Sequence, residues 1–142
     1  MGDYFAIRGA VVMKLVRKNA EAALRNNDQL RNQRGKGLVF EGFSEGKVSF
    51  KPTYKYDPGT DDYDSSKKAR IPAWTDRILY RTVDEEVRKR LQLCNYDAQN
   101  LFKISDHRPV FALFNVRIVK GKEADDGAGA EAGTSSSLCA IQ

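Results

Sequence analysis

Apolar side chains recur at helical spacing over residues 10–26, where Val12, Leu15, Val16, Ala20, Ala23 and Leu24 share one side of a wheel. Lys14, Arg17, Lys18, Glu21 and Arg25 occupy the rest of it, so the 3.6-residue period predicts an amphipathic helix packed on a sheet. Residues 25–37, RNNDQLRNQRGKG, read as a polar connection, and Gly37–Phe40 as a short strand or turn. Lys47-Val48-Ser49-Phe50 alternates polar and apolar with period two, which predicts a half-buried strand. Arg77–Thr82 is rich in β-formers and predicts another. Asp84 can cap a short helix over Glu85–Leu91, whose acids come first and whose Arg88, Lys89 and Arg90 come last, the order a helix dipole favours. Leu101–Ile104 predicts a strand, Ser105–Arg108 a polar turn before Pro109, and Val110–Val119 the most hydrophobic strand of the chain.

Between the strands at Lys47–Phe50 and Arg77–Thr82 lies a stretch that fits neither period. From Phe50 to Arg81 it mixes tyrosines, Trp74, lysines, arginines and aspartates around Pro58-Gly59 and Pro72. It is too polar and too interrupted for a core element, and too aromatic for disorder. Long structureless connections inside compact domains are uncommon unless they bind something, so this one is expected to be an ordered binding loop.

Composition narrows the setting. The 142 residues suffice for one domain with a real core, and 41% hydrophobic content is ordinary for a globular chain. The net charge is +5, and the segment after residue 120 sets only Lys122 against Glu123, Asp125, Asp126 and Glu131, so the body before it is more basic still. A polyanionic partner follows: phosphorylated small molecules, anionic lipid headgroups or nucleic acid. Cys94 and Cys139 are the two cysteines and form no C-x-x-C pair, which supports neither a disulfide framework nor a zinc site. No apolar run is long enough to span a membrane, the N-terminus lacks a signal-peptide pattern, and a cytoplasmic setting is expected. Gly35 and Gly37 are not a dinucleotide fingerprint, since neither a third glycine nor a strand accompanies them.

Two constellations could carry chemistry. His107, the single histidine, sits in the turn before a strand with Asp106 adjacent. Asp76 opens another strand, so one carboxylate could orient the ring while the other faces a metal or substrate. The second set is Lys55, Lys67, Lys68, Arg70 and Arg77 with Tyr54 and Tyr56. It reads equally as a solvated charged face or as a phosphate cradle whose cations are fixed by loop geometry.

The wording of these motifs goes further. PTYKYDPGTDDYD at 52–64, K-x-R-x-PAWTDRIL at 68–79 and SDHRPV at 105–110 closely resemble the inositol polyphosphate 5-phosphatase family. Glu41-Gly42-Phe43, Glu45-Gly46-Lys47, Asp28-Gln29-Leu30 and the upstream helix also fit, so the resemblance covers about residues 8–119. It implies an α/β fold, half of a four-layer DNase I-like α/β sandwich with mixed, mostly antiparallel sheets, and Mg²⁺-dependent hydrolysis of the 5-phosphate of inositol phosphates and phosphoinositides. It further implies that His107, oriented by Asp76, contacts the scissile phosphoryl group, that Asp106 helps place water or metal, and that Tyr54, Lys55, Lys68 and Arg70 grip the neighbouring 4-phosphate. Arg77 joins the same binding set. Lys67 stands where the family usually carries an acid.

The chain also departs from that pattern. The family's Gly-Asp-x-Asn motif meets Gly2-Asp3-Tyr4-Phe5 here, so Asp3 can be matched as the water-activating carboxylate while Phe5 takes the asparagine's place. The glutamate that binds Mg²⁺ in the family has no counterpart in the chain, which is expected to be the C-terminal half of a phosphatase domain (residues 1–120) and a poor catalyst or an inert phosphoinositide binder. A nuclease of the same superfold is the other alternative, disfavoured because a nuclease needs no clamp for a second monophosphate; no nucleic-acid partner is expected. Residues 121–142 read as a flexible Gly/Ala/Ser tail ending Cys-Ala-Ile-Gln, a C-a-a-X pattern that predicts prenylation of Cys139 and reversible attachment to an anionic membrane surface.

Overall fold

A computed structural model describes residues 2–119 and 138–140, with side chains described over 9–20 and 22–119. In chain order the elements are α1 (Gly2–Arg17), α2 (Glu21–Arg25), α3 (Gln29–Gly35), β1 (Ser44–Glu45), β2 (Leu79–Tyr80), α4 (Glu85–Arg90), β3 (Leu91–Ala98), β4 (Val110–Val116) and β5 (Leu138–Ala140). Among the described residues no helix is long and apolar enough to cross a membrane.

The helix expected over 10–26 is two helices. Asn19 takes a left-handed φ of 50°, and around it the Ala20 N–H donates to the Leu15 carbonyl at 2.9 Å and the Asn19 N–H to Val16 at 3.1 Å. These paired bonds are a Schellman closure, which terminates a helix on a left-handed residue, and asparagine tolerates that conformation better than most. Val16 and Leu24 nevertheless both reach the interior, as the periodicity predicts. Asp28 then starts α3, its carboxylate accepting the Leu30 and Arg31 N–H groups at 3.1 and 3.3 Å.

β1 and β2 form a short antiparallel pair with Glu45 opposite Leu79. The larger sheet has the order β3-β4-β5 and is antiparallel throughout. β3 is the element the pattern did not predict. Leu91 and Leu93 face inward with period two, but the register shifts between Leu93 and Asn95, and Tyr96 and Ala98 resume the inward face one residue late. The extra residue is a β-bulge, and it hides the alternation that would have betrayed a strand. β5 lies in the segment expected to be a flexible tail, pairing Cys139 with Leu113; residues 121–137 and 141–142 of that tail lie outside the described residues.

Three expected strands are corrected. Leu101–Ile104 is an exposed turn, and of Arg77–Thr82 only Leu79–Tyr80 pairs. Lys47–Phe50 buries Val48 and Phe50 and exposes the residues between, as expected, but joins no ladder. Its carbonyls are taken by side chains instead: Arg25 Nη1 donates to Val48 O at 2.9 Å and Trp74 Nε1 to Phe50 O at 3.0 Å.

The core lies on the inner face of the larger sheet. Val48, Phe50, Tyr96, Ala98, Val110 and Ala112 are buried together, with Trp74, Ile78, Leu93 and Phe114 packed against them. Phe50 meets Tyr96 edge to face at 5.2 Å. Gly46 admits the aromatic ring so closely that a Cβ there would sit 2.5 Å from Tyr96 Cδ1. Trp74 and Ile78 belong to the core while Asp76 between them does not, so the 73–78 segment carries its carboxylate outward on a packed base.

Candidate active site

The long loop is ordered by bridges to distant segments. Tyr54 exchanges backbone hydrogen bonds with Ala73 at 3.1 and 2.8 Å, the Arg108 N–H donates to the Thr53 carbonyl at 2.9 Å, and the Tyr56 N–H donates to the Asp106 carbonyl at 2.9 Å. Residues 53–56 are thereby laid between 73 and 106–108, which brings the PTYKY, PAWTD and SDHR motifs into one place. Buried Thr53 and Pro52 anchor this segment from below.

His107 Nδ1 lies 2.9 and 3.1 Å from the two Asp76 oxygens. The carboxylate also accepts the hydroxyls of Thr53 at 2.8 Å and Thr75 at 2.9 Å. Partial burial alone would raise the Asp76 pKa, but the hydrogen bonds from His107, Thr53 and Thr75 outweigh it and hold the carboxyl below its ordinary range. Asp76 is therefore an ionised orienter with three donors. With Nδ1 committed to it, Nε2 is the ring nitrogen left for a ligand. The ring is also steadied by Tyr54, whose centroid is 4.7 Å away. A cleft of about 620 Å³ opens over this pair, lined by Thr75, Asp76, Ser105, His107, Arg108 and Pro109 among others.

Asp106 accepts from Lys55 Nζ at 3.2 Å. That hydrogen bond, first among the causes, lowers its pKa. The remaining cations of the predicted grip are tied to Lys55 through one acid. The Asp64 N–H donates to the Lys55 carbonyl at 2.9 Å, while the Asp64 carboxylate accepts the N–H groups of Ser66 at 3.1 Å and Arg70 at 2.9 Å. The Ser66 hydroxyl first, and then the Arg70 N–H, hold the Asp64 carboxyl down at about 2. They close a tight turn with Ala69 in the left-handed region at φ 39°, flanked by exposed Lys68 and Arg70. Asp64 thus shapes the cationic turn.

Arg77 does not join the grip. Its side chain is 5% exposed, with Nε 2.6 Å from Glu45 Oε1, Nη2 3.0 Å from Glu45 Oε2 and Nη1 2.8 Å from Asp28 Oδ2. Arg34 and the Tyr96 hydroxyl complete the shell around Glu45 at 3.0 and 3.1 Å. Burial would lower the Arg77 pKa, but Glu45 and Asp28 raise it on balance. With two carboxylates already on it, Arg77 ties α3 and β1 to the strand that follows Asp76. Asp3 falls in α1, and its side chain lies outside the described residues.

Sequence reasoning also missed residues. Thr53 and Thr75 orient Asp76; the T-D pair in PAWTD was the available signal. Arg108 looks like a site cation beside His107 but is 1% exposed, lying 3.9 Å over the Tyr56 ring and donating to the carbonyls of Ser105 and Thr60. It clamps the 57–61 turn to the histidine turn. Nothing in the sequence separates it from a ligand-binding arginine.

Among the described residues no group of three or more His, Cys, Asp or Glu side chains is arranged to hold a metal ion. Asp76 is spent on His107 and Asp106 on Lys55, so these residues do not fit a divalent cation without further donors.

Comparison with known proteins places this geometry. Residues 4–113 match the endonuclease/exonuclease/phosphatase family 2. Synaptojanin of Caenorhabditis elegans is 47% identical over 123 residues, which are 84% of this chain and 11% of that protein. The solved inositol polyphosphate 5-phosphatase domain of a synaptojanin, in complex with inositol (1,4)-bisphosphate and calcium, is 42% identical with a TM-score of 0.67 over 75% of this chain and 29% of that one. A Cimex nitrophorin in its ferrous NO complex is 37% identical with a TM-score of 0.63, over 75% of this chain and 35% of that one, so the fold is shared by proteins with different ligands. The chain spans about a third or less of the length of these matches. Matched over most of its length and carrying the three linked motifs, the chain belongs to the endonuclease/exonuclease/phosphatase family 2, in its inositol polyphosphate 5-phosphatase branch.

Proposed function

We propose that this chain carries the histidine and the phosphate grip of a phosphatase acting on the 5-phosphate of inositol polyphosphates and phosphoinositides. The observation that carries the reading is the Asp76–His107 pair with its two threonine donors, set beside the Lys55 segment and the turn bearing Lys68 and Arg70. Phosphoryl transfer demands positioning and charge stabilisation more than covalent help. His107, held by Asp76, presents Nε2 to a phosphoryl oxygen in the cleft, where its positive form would neutralise developing charge. Lys55, Lys68 and Arg70 bind a second phosphate on the same ring, which fixes the ring's orientation. Mg²⁺ would add Lewis-acid stabilisation when bound, but its ligands must come largely from outside the described residues.

That last point favours a second reading, an inert phosphoinositide-binding chain. Calorimetric titration with soluble inositol 1,4,5-trisphosphate, together with Mg²⁺-dependent phosphate release and a His107→Ala control, tests both. Release abolished in the control supports the enzyme; binding without release supports the second reading; neither sinks both. Duplex DNA in the same assay checks the nuclease alternative.

Cytoplasmic localisation and prenylation of Cys139 stand as further proposals. Prenylation rests on the Cys-Ala-Ile-Gln pattern, and the cytoplasmic setting on cysteine usage that supports no disulfide framework. In β5 Cys139 pairs with Leu113, so a transferase would need the strand released. Intact-mass spectrometry of protein from eukaryotic cells showing no added lipid would end this idea.

A further inference from the structure

The geometry points to Thr53 as a positioning residue that acts on His107 through Asp76, in a way that the neighbouring Thr75 does not. This deepens the phosphatase reading and rests on it, because it names what fixes the ring nitrogen that would face a phosphoryl group. Thr53 is 0% exposed and is absent from the lining of the cleft over His107. A ligand in that cleft does not meet it. Its hydroxyl carries a single proton, which goes to Asp76 Oδ2 at 2.8 Å.

The two threonines on Asp76 are not equivalent. Both donate to Oδ2, the oxygen that also lies 2.9 Å from His107 Nδ1. Thr75, however, is exposed and lines the cleft, so water can stand in for its hydroxyl. Its oxygen is also 3.4 Å from His107 Nδ1 and competes with Asp76 for the ring proton. Thr53 does neither. Its backbone is fixed on the histidine side as well, since its carbonyl accepts the Arg108 N–H at 2.9 Å. Thr53 thus bonds Asp76 with its side chain and the residue after His107 with its main chain, tying the two members of the pair together from within the fold.

Removing a buried donor differs from removing an exposed one. Without the Thr53 hydroxyl, Oδ2 loses a partner that water cannot replace in a packed site, and the carboxylate is left with the exposed Thr75 and the ring itself. A neutral imidazole carries its proton on either nitrogen, and the hydrogen bond made by one nitrogen selects which. A firmly held Asp76 keeps the proton on Nδ1. The neutral ring then has one tautomer, and the charged ring offers its second N–H at Nε2.

The test is nitrogen NMR of the full chain with isotope-labelled histidine, in which the single histidine gives one pair of ring signals. At a pH where the ring is neutral, the wild type should show Nδ1 protonated and Nε2 bare. Thr53→Val, which keeps the shape and deletes the donor, should bring in the opposite tautomer. It should also lower kcat on the order of tenfold, the scale of one hydrogen bond to a charged group, with KM changed less than about twofold. Thr53→Ser should restore both readouts, and Thr75→Val should leave the tautomer as it is. A wild-type tautomer retained in Thr53→Val overturns the proposal, as does an equal shift in Thr75→Val. Should Thr53→Val fail to fold, the wild type decides: a slowly exchanging Thr53 hydroxyl proton beside Asp76 supports the proposal, and its absence overturns it. Mg²⁺-dependent phosphate release by the wild type is read separately; its failure would sink the phosphatase reading, while the tautomer and the hydroxyl proton decide Thr53.

Discussion

Two clusters of charge stand side by side and are built from the same residue types. In one, Asp28, Arg34, Glu45 and Arg77 close on each other beneath Tyr96, and Arg77 and both carboxylates are nearly fully buried. In the other, Asp76 and His107, Lys55 and Asp106, Lys68 and Arg70 each keep a face to solvent. Asp76 and Arg77 are adjacent in sequence, yet they belong to different clusters. What separates a structural charge from a functional one here is burial: Arg77 is enclosed with a carboxylate on each side, whereas His107 keeps a face to solvent, with one nitrogen committed and one to offer.

The largest expected effect is on Arg77. Arg77→Ala strands Glu45 and Asp28 without their shared cation, and loss of one partner of a buried pair costs about 3–5 kcal/mol. Urea denaturation should show that loss, whereas His107→Ala, in a pair more than a third exposed, should cost less than about 1 kcal/mol while removing any phosphate release. If both variants were equally destabilised, the division into two clusters would be wrong. Next come the grip residues. Lys68→Ala or Arg70→Ala should weaken binding of a 4,5-bisphosphorylated headgroup by about 1.5–3 kcal/mol, the range for charged hydrogen bonds. A headgroup lacking the 4-phosphate should barely notice either change, and equal losses would reduce these residues to general positive charge.

Acid sharpens the contrast further. Asp64, at about 2, and Asp76, held below its ordinary range, are both depressed in the folded chain. Their contribution is full above the unfolded value of roughly 4 and is lost as pH falls through the folded one. Between about pH 4 and pH 2 the 64–70 turn should therefore loosen, and Asp64→Asn should remove that acid dependence in headgroup binding or in the amide shifts of Ser66 and Arg70. The smallest effect belongs to the exposed pairs of α4, Glu85–Arg88 and Glu86–Lys89. Lys89→Gln should change stability by less than about 0.5 kcal/mol in the same denaturation series.

How far the sequence was legible follows from the range of the causes. α4 was readable because its determinants are local: Asp84 accepts the Val87 N–H at 2.7 Å, as a cap should. The site's motifs were readable as words, and the structure joins them through Tyr54. β3 was not, because the bulge at Cys94–Asn95 breaks the period. Leu101–Ile104 looked like a strand because apolar content was taken for burial. Arg77 and Arg108 were ambiguous, since only the folded chain brings Glu45 and Asp28 to one and Tyr56 to the other.

The acids inside the grip have a consequence of their own. Lys55 already holds Asp106, and Arg70 has Asp64 at 3.7 Å, so an incoming anion does not fill vacant charge but trades places with a resident carboxylate. Exchange of this kind discriminates by valence. A phosphate monoester, with its second ionisation near neutrality, carries close to two charges and can displace a carboxylate of one; a phosphodiester carries only one and has little advantage. The resident acids would thus act as a filter against nucleic-acid backbones, and neutralising the one that only pairs, as Asp106→Asn, should erode the preference for monoesters even as overall anion affinity rises.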